Sequence, residues 1–511
     1  MSSAVDPNDW IDCAARDQPQ QPFLKTPAGQ YYNYASLHEA SGRFASILMR
    51  LGVGRGDRVA AQVEKSAEAV LLYIACLRMG AVFVPINVAN TPNEVDYFFR
   101  DSQPRIAIIR PADRTSLEPI AERAGVARIE SLGADGTGSL LGVMPQTGSY
   151  SEFVRAGAPN SLAAIVYTSG TTGRSKGAML TRGNLASNAA ALVEAWRFTN
   201  RDILLHALPL FHIHGLFAAI NTVLASASSL LLLPKFDAAM TLRHLPEATV
   251  FMGVPTHYTR LLQQAGLDLE CTAHMRLFVS GSAPLLAETH REFLHRTGHV
   301  ILERYGMTET LINTSNPYDG VRLPGSVGKP LPGIAIRAIG AEAAAAGSAV
   351  DVAGALEIKG PNVFAGYWGD PDKTRDEFSA DGWFKTGDLA RIDRDGYVHI
   401  VGRAKDLVIS GGYNVYPKEV EAELDALAGV LESAVFGVPH PDLGEGVTAA
   451  VVGKPAVVLS EAAMINAVQA RLARYKVPKR IIIVDELPRN TMGKVQKNAL
   501  RAAYASLYLI A

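Results

Sequence analysis

The string YTSGTTGRSKG, residues 167–177, is the first place in this chain where residue types and order suggest chemistry. It follows the apolar run LAAIV, so it should leave the end of a strand. Gly170 and Gly173 let the backbone approach a ligand closely, and Thr168, Ser169, Thr171 and Thr172 set hydroxyls among peptide N–H groups. With Lys176 at its far end, such a loop makes an anion-binding concavity suited to a polyphosphate. It is not a Walker A loop, which needs Gly-Lys-Ser/Thr, because Lys176 stands between Ser175 and Gly177. A Ser/Gly-rich surface turn is the competing reading.

Four further strings agree with it. ERYGMTET (303–310) follows the strand-like VILE and combines an aromatic, two threonines and a carboxylate. Thr386-Gly387-Asp388 opens a turn in which a lone Asp can bind a ribose diol. GRAKDLVISGGYNVYP (402–417) contains a charged break, and PRNTMGKVQK (488–497) is a polar loop presenting Lys494. TGD alone is usually just a turn; the ordered set is far more specific.

Those residues need a large scaffold. The chain has 511 residues, which suggests two or three domains. Hydrophobic residues make up 48% and charged residues 19%, enough apolar material for an extensive core. With 49 Lys+Arg against 50 Asp+Glu, net charge gives no argument for a nucleic-acid or anionic-membrane partner. Cys13, Cys76 and Cys271 are too scattered for a disulfide framework or zinc ribbon. The N-terminal residues lack a signal-peptide pattern, and the apolar runs fall short of the about 20 residues of a membrane span. The expectation is a soluble cytoplasmic protein.

Apolar runs alternate with helix-like stretches: DRVAAQVEKS, AEAVLLYIACLRMG, AVFVPIN, then RIAIIRP, ATVFMGVP and MRLFVSGSAP. This pattern predicts an α/β fold with doubly wound sheets and helices on both faces. The Ala/Gly-rich 340–354 should be a surface loop. After about residue 395 the pattern becomes α+β: helix 417–427, strands 432–439 and 448–453, helix 461–475 and strand 480–487. The expected division is a large domain, 1–402, and a small C-terminal domain, 403–511.

Carrying these motifs in this order over essentially its whole length, the chain resembles the adenylate-forming superfamily of acyl-CoA synthetases, luciferases and peptide-synthetase adenylation domains. HALPLFHIHGLF, FVSGSAPLLAETHREF, ERYGMTETLINTSNPYDG and LPRNTMGKVQKNALR most resemble its malonyl-CoA synthetases. The resemblance implies a large domain with a small mobile lid and a two-step ligation. A carboxylate attacks ATP to give an acyl-adenylate and pyrophosphate, and the CoA thiol then displaces AMP. It implies Mg²⁺ held by Glu309, the loop from Thr168 to Lys176 on the β/γ-phosphates, and Thr308 at the α-phosphate. Gly281, Ser282, Ala283, Glu303, Arg304, Tyr305 and Gly306 would line the adenine slot, and Asp388 and Arg403 would bind the ribose. Lys494 would bridge carboxylate and α-phosphate. Lys405 would be the hinge for a rotation that withdraws Lys494 and brings Gly411 and Gly412 to the pantetheine channel. Family members are often controlled by acetylation, so a lysine acetyltransferase acting on Lys494 is an implied partner. Many members have proline before the loop lysine, where this chain has Ser175.

The acid must be read from its pocket. Malonate carries a second carboxylate whose unpaired burial is prohibitively costly, so a malonate enzyme needs a cation or strong donors there. Arg291, His212, His214 and Ser282 are the candidates. Arg291 has a competing role on a solvated helix face, pairing with Glu288. Short monocarboxylates or aryl acids are the alternative substrates, and a non-catalytic nucleotide sensor is the alternative of another class.

Overall fold

The computed structural model describes residues 6–143, 157–168, 175–340, 353–410, 413–472, 474–490 and 493–508. The large domain holds two mainly parallel sheets. In one, the strands run in the order Ile129–Ser131, Ile106–Ile109, Arg58–Gln62, Val82–Pro85, Leu162–Thr168, with Lys176–Thr181 antiparallel at the edge. The other has a parallel centre made by Leu302–Met307, Leu277–Ser280, Val250–Gly253, Ile203–His206, Ser229–Leu232 and Pro22–Lys25.

The helix Ala67–Met79 shows why the sheets stack. Ser66 Oγ accepts from the Ala69 N–H at 3.1 Å, and Gly80, at φ 75°, ends the helix in the left-handed region. Every residue between these caps is buried, as its apolar sequence requires. Tyr73 packs 5.5 Å from Phe83 of one sheet and 5.7 Å from Phe217 of the π-helical segment His214–Asn221. Its hydroxyl donates to Asn221 at 2.8 Å. Each fully buried Leu or Ile in such a layer contributes about 1.5–3 kcal/mol.

The doubly wound expectation therefore holds, with an addition. Leu302–Met307 turns back through 308–310 into the antiparallel Leu311–Ser315. A separate antiparallel sheet follows, formed by Ala335–Ile339, Gly354–Lys359, Phe384–Ile392 and Val398–Arg403. Its last turn has Gly396 at φ 82°, as the Asp395-Gly396 pair suggested. The expected loop at 340–354 lies largely outside the described residues.

Arg403 ends its strand, Ala404–Asp406 forms one 3₁₀ turn, and Val408–Ser410 belongs to the next sheet. That sheet contains Val430–His440, Gly444–Gly453 and Arg480–Val484, packed by helices Pro417–Asp425 and Glu461–Gln469. The helix expected over 461–475 stops at Gln469, although the Leu472 N–H still bonds to Val468 O at 2.9 Å. The small domain touches the large one through Lys454 Nζ and Glu288 Oε1, 2.7 Å apart. Cys13, Cys76 and Cys271 are all free. Among the described residues no helix is long and apolar enough to cross a membrane.

Candidate active site

Ligands of open parallel sheets collect at the carboxyl ends of the strands. Here those ends are aligned by register: His206 faces Met252, Gly253 faces Ser280, and Ser280 faces Glu303. The Gly/Ser loop opens nearby from the edge hairpin, where Thr168 and Lys176 are cross-strand partners. Ser169, Gly170, Thr171, Thr172 and Gly173 lie outside the described residues, as do Gly411 and Gly412. Lys176 Nζ stands 5.2 Å from the centre of the Tyr367 ring. The Tyr367 hydroxyl donates to Glu309 Oε1 at 2.9 Å, so the loop lysine and the motif carboxylate share one aromatic contact. Thr308 is half-buried beside Glu309 in the turn after the strand. That turn is tight: a Cβ at Gly306 would fall 2.0 Å from Leu311 O.

Tyr305, Asp388 and Arg403, distant in sequence, meet. Asp388 Oδ2 accepts from the Tyr305 hydroxyl at 2.5 Å, and Arg403 Nε lies 3.0 Å from Asp388 Oδ1. Asp388 and Arg403 are also directly opposite in the sheet. A carboxylate fixed from two sides is a rigid acceptor for a vicinal diol.

Lys494 belongs to the small domain but faces this cluster. A Cβ on its neighbour Gly493 would lie 3.4 Å from the Thr256 side chain of the large domain. Lys494 is exposed, in a cleft where loss of solvation, then the positive Arg403, pull its pKa down to about 8. Lys405 is exposed in the 3₁₀ turn between the two sheets.

The other end of the site holds Arg304, His212 and His214. Side chains alternate along a strand, so Arg304 points away from the face shared by Glu303 and Tyr305. Glu303 Oε1 accepts from the Gly325 N–H at 3.3 Å, and burial pushes its pKa up to about 7. Arg304 instead lies across Gly281, where a Cβ would come within 2.5 Å of the guanidinium. It is 3% exposed, and neither Nε nor Nη2 has a protein partner. Burial lowers its pKa to about 9, which leaves it charged at neutral pH.

The helix Ala287–Thr297 buries Thr289, His290, Phe293 and Thr297, and Arg291 is exposed. Among the described residues no hydrogen bond or ion pair ties it to the polar cluster. His212 and His214 are there, but as neutral donors and not as cations. Burial holds His212 at about 4; burial, then the positive Arg304, holds His214 well below its usual value. Ser282, at φ 71°, sets its Oγ 3.4 Å from His214 Nδ1.

Sequence reasoning missed His206, His257 and Ser280. Each carries a buried polar atom without a protein partner: His206 Nδ1, His257 Nδ1 and Ser280 Oγ, alongside His214 Nε2. Buried polar groups are normally satisfied, so a concentration of orphans at one set of strand ends marks a place for a polar ligand. Tyr367 was also missed, since nothing in AGYWGD signals contact with Glu309.

For Mg²⁺, the described residues contain no group of three or more His, Cys, Asp or Glu able to hold a metal ion. Glu309 fits the other arrangement, one carboxylate meeting an ion that arrives with a triphosphate. It is 7% exposed, and burial raises its pKa although a backbone hydrogen bond, the Tyr367 hydroxyl and the positive Arg403 act the other way.

Comparison with known proteins agrees with this geometry. The AMP-binding enzyme family matches residues 11–368, and the AMP-binding enzyme C-terminal domain matches 419–494. The malonate–CoA ligase ACSF3, mitochondrial, of Mus musculus is 35% identical over 509 residues, covering 92% of this chain and 86% of that protein. ATP-bound MatB from Rhodopseudomonas palustris is 52% identical and superposes with a TM-score of 0.94 over 99% of this chain and 100% of that one. Apo MatB, with the same identity and coverage, gives 0.83. The O-succinylbenzoate CoA synthetase of Bacillus subtilis, with ATP and magnesium, is 28% identical at a TM-score of 0.83, covering 96% of this chain and 99% of that one. The chain therefore belongs to the AMP-binding, adenylate-forming enzymes.

Proposed function

We propose that this chain ligates malonate to coenzyme A, forming AMP and pyrophosphate from ATP. A malonate carboxylate oxygen bonds to the α-phosphorus as the bond to pyrophosphate breaks. The CoA sulfur then bonds to the acyl carbon, the carbon–oxygen bond to AMP breaks, and the thiol proton leaves to solvent. The loop between Thr168 and Lys176 holds the β/γ-phosphates, Thr308 meets the α-phosphate, and Tyr305 packs on the adenine beside the 281–283 turn. Asp388 and Arg403 take the ribose hydroxyls, and Lys494 neutralises the charge building between carboxylate and α-phosphate. Glu309 would hold Mg²⁺, which when bound offsets phosphate charge. Acetylation of Lys494 by a lysine acetyltransferase would remove the charge that the first step uses.

The observation that carries malonate is the orphaned Arg304 guanidinium among neutral imidazoles. A pocket for a fatty or aryl acid has no use for a buried unpaired cation, whereas a second carboxylate pairs with it. The test is AMP release with malonate, methylmalonate, succinate, acetate, benzoate and octanoate. Malonate should give the highest kcat/KM; robust turnover of an aryl or fatty acid with none of malonate overturns the reading.

Arg291→Ala should change malonate kcat/KM by no more than about twofold if the side chain serves only the solvated helix face on which it is exposed. Steady-state kinetics on malonate check this. A pH dependence follows from Lys494. Its ammonium is the working form and its pKa is lowered to about 8, so the charged fraction falls as pH climbs through 8 and not through the usual lysine range. Malonate-dependent ATP–pyrophosphate exchange should decline between pH 7.5 and 9, and a flat profile over that interval contradicts the role.

A further inference from the structure

The turn that carries Lys494 is held from both sides. Asn490 and Lys494 close it: the Lys494 N–H donates to Asn490 Oδ1 at 2.9 Å, and the Asn490 N–H donates to Lys494 O at 2.9 Å. On the N-terminal flank, Arg489 pairs with Glu432 and donates to Gly493 O at 2.5 Å, and Arg489 and Val495 form an antiparallel bridge. On the C-terminal flank stands Lys497, the first residue of the helix Lys497–Ala503. Its ammonium reaches into the small domain and donates to Glu421 Oε1 at 2.5 Å.

Glu421 has no place in the chemistry described above, yet it is the most elaborately held carboxylate of the small domain. Its side chain is 2% exposed. Oε1 also accepts from the Val435 N–H at 2.9 Å, and Oε2 lies 2.6 Å from Lys418 Nζ. One buried anion thus ties three elements together: its own helix Pro417–Asp425, the strand Val430–His440, and the segment just after Lys494. Removing its charge takes from Lys418 and Lys497 the anion they share, leaving them Asp425 and Asp406 as acidic neighbours, and Lys497 then gains by swinging outward. Lys494 is only three residues away.

We infer that Glu421 is a positioning residue for Lys494, gripping Lys497 so that the turn moves as a rigid part of the small domain. The inference rests on the adenylate-forming reading, in which Lys494 serves the first half-reaction only. A misplacement of about 1 Å in a positioned group costs on the order of 100-fold in rate. Glu421→Gln keeps the shape and the bond from the Val435 N–H but loses the charge. In the full-length protein it should lower ATP–pyrophosphate exchange by about 100-fold. Thioester formation from supplied acyl-adenylate and CoA should stay within about threefold. Lys497→Ala should reproduce this split, and Lys497→Arg should retain most of the exchange.

The assay uses whichever acid the unaltered protein activates best in the panel above. A failure of the malonate reading then appears in the unaltered protein, and a failure of this inference only in the variants. Parallel loss of both half-reactions in Glu421→Gln would mean that Glu421 merely holds the small domain together. Unchanged exchange would mean that Lys494 needs no such grip. Either result overturns the inference.

Discussion

Lys494→Ala should lose malonate-dependent ATP–pyrophosphate exchange by about 100- to 1000-fold, the loss expected when one preorganised charge-stabilising group is removed from a transition state. Thioester formation from supplied malonyl-adenylate should stay within about threefold. The reason is the placement of the lysine. It comes from a domain joined to the rest through the short Ala404–Asp406 turn, and it reaches the Asp388–Arg403 cluster beside Thr256. In the proposed mechanism the same domain would turn away for the second half-reaction, leaving the lysine no partner in the chemistry. Because the side chain is exposed, folding stability should change by less than about 0.5 kcal/mol. Chemical denaturation alongside the two half-reaction assays separates a catalytic loss from an unfolded sample. Equal loss in both assays would assign Lys494 a general role.

Arg304→Met should have a comparable effect with a different signature. If the guanidinium pairs with the distal carboxylate of malonate, its removal leaves that carboxylate buried without a partner, a cost of about 3–5 kcal/mol. This corresponds to a fall in malonate kcat/KM of roughly two hundred- to several thousand-fold. Acetate, which lacks the distal group, should lose nothing. The folded protein should be no less stable than before, because Arg304 Nε and Nη2 have no protein partner to lose and methionine needs no counter-charge. A lowered Tm with equal losses on both acids would mark Arg304 as structural.

The contrast between Arg304 and Arg291 shows how far the sequence could be read. The ordered strings picked out Thr168 and Lys176, which pair across a hairpin, and Tyr305, Asp388 and Arg403, which meet in space. The acyl end was not legible in the same way. Arg304 adjoins Tyr305 in sequence, but the period of two along a strand sends them to opposite faces, and only the structure shows Arg304 lying across Gly281. The exposure of Arg291 was readable. Thr289, Phe293 and Thr297 recur every four residues and mark the buried stripe of their helix, from which Arg291 is turned away. His206, His257 and Ser280 come from three separate elements, and no spacing in the chain links them. The antiparallel return after Met307 was hidden because LERYGM and LINTS both mix apolar with polar residues and the turn between them is only three residues long.

The central claim, that the acid is activated at the α-phosphorus of ATP, has a direct isotopic test. Malonate labelled with ¹⁸O in its carboxylates is converted to the thioester in unlabelled water, and the products are weighed by mass spectrometry. Adenylate chemistry leaves one carboxylate oxygen on phosphorus when CoA displaces AMP, so the AMP should carry one ¹⁸O and the pyrophosphate none. Unlabelled AMP, with the label in inorganic phosphate or pyrophosphate, would contradict the account.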